Sequence, residues 1–139
     1  MATRADRRTA QEFQKEYFSD ILNNFDTNPV TGLLARVVNE DSIKQSLKNI
    51  VRTCLTERFY QPLVGSKAAS SLFDLGGPIV IETIRNTITT AITNYEKRAN
   101  LIQVTTTDQD YGYVADIAFE CINIPNQTFY TSVIIEKVR

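Results

Sequence analysis

Apolar residues recur at steps of three and four in two stretches of the chain and alternate with polar ones in a third. Ile43, Leu47, Ile50, Val51 and Cys54 share one helical face, with Lys44, Lys48 and Arg52 on the other. Those three bases suit a solvated face; a basic stripe that meets an acidic partner is the second reading. Asn39 stands where a helix cap belongs, and Glu40 and Asp41 suit the positive end of the helix. Ile81, Ile84, Ile88, Ala91, Ile92 and Tyr95 mark a second, longer helix. Its Ile and Thr content is mediocre for a helix, so packing has to hold it. Gly76-Gly77 followed by Pro78 ends one helix and starts this one. Between the two, residues 66–75 read as a short helix capped by Ser66, with Ala68, Leu72 and Leu75 inward. Residues 56–65 read as a loop, pinned to the fold by Glu57, Arg58, Phe59 and Tyr60.

From Leu101 onward the period changes from about 3.6 to 2. Residues 101–107, 113–121 and 129–135 are rich in β-branched and aromatic types, and polar turns at 108–110 and 125–127 separate them. They predict a three-stranded antiparallel meander. In the last run, Phe129, Thr131, Val133 and Ile135 oppose Tyr130, Ser132, Ile134 and Glu136, so this strand is partly apolar on both faces. A second apolar face needs a cover, and at a chain end that cover is expected to be another subunit. A terminal edge strand is also a ready place for another chain to pair.

The N-terminal third is mixed. Arg4, Asp6, Arg7 and Arg8 precede a capping box, Thr9 with Glu12, and an aromatic face of Phe13, Tyr17 and Phe18. That stripe either covers the chain's own core or docks on a partner. Ile21, Asn23 and Phe25 alternate as a short strand would, although Ile21, Leu22 and Phe25 also fit a helix. A turn at residues 26–32, with Pro29 and Gly32, leads to a strand at 33–38 and completes a hairpin. The expected fold class is α+β: an N-terminal helix and β-hairpin, three helices, and a C-terminal three-stranded antiparallel meander. The expected division is a helical arm at 1–18 and a single domain at 19–139.

Composition narrows the function. The chain has 139 residues and a net charge of −1, so no global bias toward nucleic acid exists. The arginines near the N-terminus are the one hint of it. No apolar run reaches the roughly 18 residues of a membrane helix, and the N-terminus lacks an apolar signal core, so a soluble, unexported protein is expected. Histidine is absent, which removes Ser-His and Cys-His pairs and the commonest general base. Cys54 and Cys121 show no metal spacing and lie in apolar patterns, so both are expected to be buried free thiols in a reducing compartment. No metal or other cofactor is expected.

The candidate acid and base residues are therefore carboxylates: Glu57, Asp74, Glu96, Asp110, Asp116 and Glu120. A glycosidase needs two of them about 5–9.5 Å apart across a cleft. No spacing here selects such a pair. Glu57 and Glu96 have arginines beside them, which favours ion pairing over general-acid chemistry. An interaction protein fits better. Its candidate contacts are the charged junction Glu96-Lys97-Arg98 and the terminal strand of Phe129, Tyr130, Thr131, Ser132, Val133, Ile134 and Ile135. Glu57 and Arg58 are expected to brace the fold beside the junction.

A set of ordered motifs resembles a known family. These are Asn28-Pro29-Val30-Thr31-Gly32, then Asn39-Glu40 opening a helix with Ile43-Lys44-Gln45-Ser46-Leu47-Lys48-Asn49, then Glu57-Arg58-Phe59 with Pro62 and Gly65. In order and spacing they resemble the baseplate wedge subunits of contractile-tailed phages. That group is named after the "gene twenty-five" protein of the T-even phages and often carries a lysozyme-like label. The baseplate subunit of type VI secretion systems is a relative. The resemblance spans residues 18–139. Glu96-Lys97-Arg98 matches a family Glu-Pro-Arg triplet at its first and third residues. Thr56 stands where a glycine is common, and Leu33 where an acidic residue often follows the turn.

The resemblance implies a non-enzymatic inner-baseplate component in a six-fold arrangement. Its implied partners are larger wedge proteins, bound through Glu96 and Arg98, the tail sheath subunit, joined by strand pairing, and neighbouring hub or tube proteins. No nucleic-acid or membrane partner is implied. The location implied is the virion's tail baseplate, assembled in the host cytoplasm. The family label keeps a second expectation open, a carboxylate-dependent cell-wall glycosidase.

Overall fold

The computed structural model describes residues 15–73 and 77–136. The order of elements is β1 (Ser19–Ile21), β2 (Arg36–Val38), α1 (Asn39–Arg52), a single 3₁₀ turn (Ser70–Phe73), α2 (Pro78–Tyr95), β3 (Ala99–Gln109), β4 (Gly112–Cys121) and β5 (Ile124–Glu136). β1 and β2 form a small antiparallel ladder. The three C-terminal strands form an antiparallel sheet in the order β3-β4-β5.

The meander follows the alternation in the sequence. Tyr113, Ala115, Ile117, Phe119 and Cys121 of β4 are buried on one face, with Val104 of β3 and Thr131, Val133 and Ile135 of β5 beside them. Against this face lie Ile43, Leu47 and Val51 of α1 and Val80, Ile84, Ile88 and Ile92 of α2. α2 packs on β3 and α1 on β5, so the two helices cover one side of the sheet. The other side carries Ile102, Tyr130 and Ile134, all exposed.

Four expectations are corrected. First, the described helices are two. Over the described residues 66–73, the predicted helix at 66–75 is a loop followed by the short 3₁₀ turn, although Ser66 does accept the Ala68 N–H at 3.3 Å as a cap would. Its hydroxyl donates to the Val51 carbonyl at 2.8 Å, and its backbone N–H donates to Thr53 at 2.9 Å. Both bonds tie it to the end of α1. Second, residues 15–18 are not helical; the proposed capping box and Phe13 lie outside the described residues.

Third, Asn39 does not cap α1, whose first turn has no side-chain cap. It is buried at φ 48°, and its side-chain oxygen accepts the backbone N–H of Tyr17 at 2.8 Å and of Phe18 at 3.4 Å. Its amide nitrogen donates to the Lys15 carbonyl at 3.1 Å. The amide thus substitutes for a strand partner of the incoming segment, a use for which Asn tolerates a left-handed backbone. Fourth, Cys54 is exposed, while Cys121 is buried. Cys54 comes just after the last turn of α1, where the chain has left the apolar face.

Turn positions shift as well. The second reversal of the meander falls at residues 122–123, and residues 125–127 bulge out of β5, with Asn126 at φ 68°. β3 has its own bulge, between Leu101 and Gln103.

Thr56 adopts φ 70°, where a β-branched side chain is strained. Replacing it with glycine, the common family residue, is expected to raise stability by about 1 kcal/mol. Urea denaturation of Thr56→Gly measures this. A loss of stability would mean that the threonine side chain supports the loop more than the backbone strains it.

Candidate functional site

The end of α2 delivers Glu96 inward. Its backbone N–H still donates to Ile92 at 2.9 Å, closing the last turn. Its carboxylate is only 4% exposed, beneath the residues that follow. Arg98 then folds back in a two-pronged bond: Nε donates to Oε1 and an Nη donates to Oε2, each at 2.8 Å. The Arg98 backbone N–H adds a third bond to Oε1, at 3.2 Å. Planar guanidinium and carboxylate match in this geometry, which lysine does not reproduce.

Other elements enclose the pair. The second guanidinium Nη donates to Ser42 Oγ of α1 at 3.4 Å, and the cation sits 5.5 Å from the centre of the Phe18 ring. Burial pushes the Glu96 carboxyl up, but hydrogen bonds from Arg98 and Ser46 and the Arg98 charge outweigh it, leaving the group below its usual value. Bonding to Glu96 raises Arg98 in turn. Lys97, at the family's proline position, donates to the Thr93 carbonyl at 2.8 Å and so satisfies a carbonyl at the end of α2. Asn39, which secures the segment bearing Phe18, belongs to this same construction. Sequence reasoning missed it, because Asn before an acidic first turn has the usual pattern of a cap.

The loop before the 3₁₀ turn lies beside the junction. Glu57 accepts the Cys54 backbone N–H at 2.8 Å. The Arg58 side chain has no such bond among the described residues. Phe59 and Tyr60, expected to pin the loop inward, are 97% and 100% exposed. Gly65 explains how the loop returns: at φ 135° it passes so close to α1 that a Cβ would stand 2.5 Å from the Thr53 carbonyl oxygen. Tyr95, expected to face inward, is partly exposed and donates its hydroxyl to the Leu63 carbonyl.

The terminal strand divides its side chains. Thr131, Val133 and Ile135 are buried, Phe129 is half-buried, and Tyr130, Ser132 and Ile134 face out. Residues 128–136 pair with β4 without interruption, and among the described residues no strand occupies the other edge of β5.

Two further candidate carboxylates accept local hydrogen bonds. Asp116 accepts the Ser132 hydroxyl, and Glu120 accepts the Asn126 backbone N–H at 2.7 Å. Asp74 lies outside the described residues. The groove of about 280 Å³ beside the junction has Glu96 as its sole carboxylate, and that one is held by arginine. A groove of about 430 Å³ between α2 and the loop is lined by no acid, and one of about 370 Å³ at the loop has Glu57 beside Arg58. Among the described residues no cluster of His, Cys, Asp or Glu could hold a metal ion.

This chain, a two-helix layer on a meander with an arginine-locked acid at the junction, matches proteins of the phage-tail baseplate. The family model for baseplate wedge protein gp25 matches residues 37–120, more than half of the chain. Baseplate wedge protein gp25 of Enterobacteria phage T4 is 30% identical over 95 residues, which cover 67% of this chain and 72% of that protein. The chain belongs to the baseplate wedge protein gp25 family.

Solved structures share the fold. A putative tail lysozyme from Geobacter sulfurreducens superimposes with a TM-score of 0.66 at 21% identity, covering 72% of this chain and 92% of that one. A chain of the six-fold symmetrised baseplate of the anti-feeding prophage gives 0.60 at 17% identity, covering 88% of this chain and 87% of that one.

Proposed function

We propose that the chain is a non-enzymatic subunit of the inner baseplate wedge and that its sheet starts the tail sheath. In this reading β5 offers its outer edge to a strand of the first sheath ring. The Glu96–Arg98 junction contacts the larger wedge proteins, and the subunit repeats six times around the tail. The observation that carries the reading is the edge of β5 over residues 128–136, regular and, among the described residues, unpaired. Main-chain pairing at such an edge is directional and tolerant of sequence, and six-fold repetition multiplies a weak contact through effective concentration.

The arrangement of the acids speaks against the lysozyme-like alternative. A general acid needs a raised pKa and a second carboxylate across a cleft. Glu96 has a lowered one and an arginine instead.

Truncation of β5 is a poor test, because Thr131, Val133 and Ile135 belong to the core. Amide hydrogen exchange of the whole chain, with and without purified sheath protein, tests the edge directly. New protection is expected at alternate residues within 128–136, those whose N–H groups face away from β4. Protection confined to another surface would rule out strand addition there.

A further inference from the structure

α2 turns an uncharged polar face to the groove between itself and the loop that follows α1. Thr83, Asn86, Thr90 and Asn94 line one side, and Leu63 and Lys67 belong to the other. The loop wall is fixed. The Thr56 N–H donates to the Pro62 carbonyl at 2.8 Å, the Ser66 hydroxyl holds the end of α1, and the Tyr95 hydroxyl ties the Leu63 carbonyl to α2. From Thr83 to Tyr95 the groove follows α2 for about 18 Å, the length of about five extended residues.

Thr and Asn are poorer helix formers than Lys or Glu, so a face that met only water would gain nothing from them. The hydroxyls of Thr83 and Thr90 donate to the Ile79 and Asn86 carbonyls, each at 2.8 Å, which leaves both oxygens as acceptors toward the groove. The carboxamides of Asn86 and Asn94 have no hydrogen-bond partner among the described residues, and each offers two donors and an acceptor. They stand about 12 Å apart along the helix axis, and four residues of extended chain advance about 13 Å. An extended main chain turns an N–H and a C=O to the same side at every second residue. Asn86, Thr90 and Asn94 keep step with that repeat.

Lys67 is the one charged residue of the lining. Its ammonium has no ion pair among the described residues, and a second hollow that it lines, of about 440 Å³, has no acid either. The loop's own acid, Glu57, lines neither and holds the Cys54 N–H, while Glu82 on α2 is paired with Arg85 at 3.3 Å.

We infer that this groove binds an extended segment of a larger wedge protein, with its main chain held by the Asn86 and Asn94 carboxamides and an Asp or Glu side chain held by Lys67. The inference rests on the wedge reading and uses neither the β5 edge nor the Glu96–Arg98 pair.

Calorimetric titration of the full chain with the purified large wedge proteins of the same tail tests it. Asn86→Ala combined with Asn94→Ala, and separately Lys67→Glu, are each expected to weaken binding by about tenfold. The paired alanine variant should melt at or above the wild-type midpoint, since alanine is the better helix former and neither amide has a partner to lose. Overlapping synthetic peptides of the wedge protein that binds then locate the segment. Methylation of its main-chain nitrogens should abolish binding at alternate residues and be tolerated at those between. An Asp or Glu to Lys change in the segment should restore binding to Lys67→Glu. Unchanged affinity in the alanine variant, or a lowered midpoint, overturns the groove and leaves the wedge reading standing. Tolerance of methylation at every position, or failure of every charge reversal to rescue Lys67→Glu, also overturns it. A dimer of this chain that the paired alanine variant abolishes would assign the groove to a second copy instead. A wild-type chain that binds no wedge protein overturns both readings.

Discussion

Glu96→Ala is expected to lower the unfolding free energy by about 3 kcal/mol, the low end for breaking a buried ion pair. The low end applies because the Arg98 side chain is about one-third exposed and still reaches water. The substitution strands the guanidinium between Ser42 and Phe18 without its anion and leaves the Arg98 backbone N–H without an acceptor. Glu96→Gln keeps one acceptor oxygen and should lose less. The acid dependence follows from the direction of the shift. The folded pKa lies below the unfolded one, so the contribution is complete above the ordinary carboxylate pKa of about 4.3. It is lost as the pH falls through the lower folded value. Urea denaturation of wild type and Glu96→Gln at several pH values checks this. The gap between them should be constant at neutral pH and close in acid. A gap that persists undiminished in strong acid would mean that the charge pair is not its source.

Phe119→Ala is expected to cost about 3–5 kcal/mol, the range for emptying a fully buried aromatic site. Phe119 lies on the central strand, opposite Leu101 of β3 and Phe129 of β5, and its ring centre is 5.8 Å from that of Phe129. It joins both outer strands through one side chain. Hydrogen exchange should therefore show the β5 amides losing protection along with those of β3. Tyr130→Ala, on the exposed face of the same sheet, serves as the comparison and should change stability by about 0.5 kcal/mol or less. A Phe119→Ala cost below 1 kcal/mol would mean that the sheet is not held together at this point.

Elements that bury a regular face were legible in the sequence, and elements that depend on one particular hydrogen bond were not. α1, α2 and the alternation of β4 follow from hydrophobic period alone, since their inward residues bury large apolar side chains. Ser66 and Asn39 carry the same residue types as helix caps, yet each bonds to backbone far away in sequence. No local pattern distinguishes the two uses. The reversal at residues 122–123 lacks Gly and Pro, so the nearby Pro125 and Asn126 drew the turn to themselves; they form the β5 bulge instead. In the site, the junction was visible as a charge pattern, but not that its acid faces inward. Phe59 and Tyr60 looked like packing residues because aromatics usually are. Only the path of the backbone, bent back at Gly65, leaves them outside.

The two bulges make the edges of the sheet unequal. Both lie near the starts of their strands, at the same end of the sheet, and they leave a regular run of residues 103–109 in β3 and a longer one of residues 128–136 in β5. Bulges of this kind blunt an edge against pairing. In the proposed role such a sheet would be a primer whose longer regular edge, that of β5, takes the added strand. A ring of these subunits would carry that polarity into whatever is built on it, so that the first layer already dictates the direction of every later one.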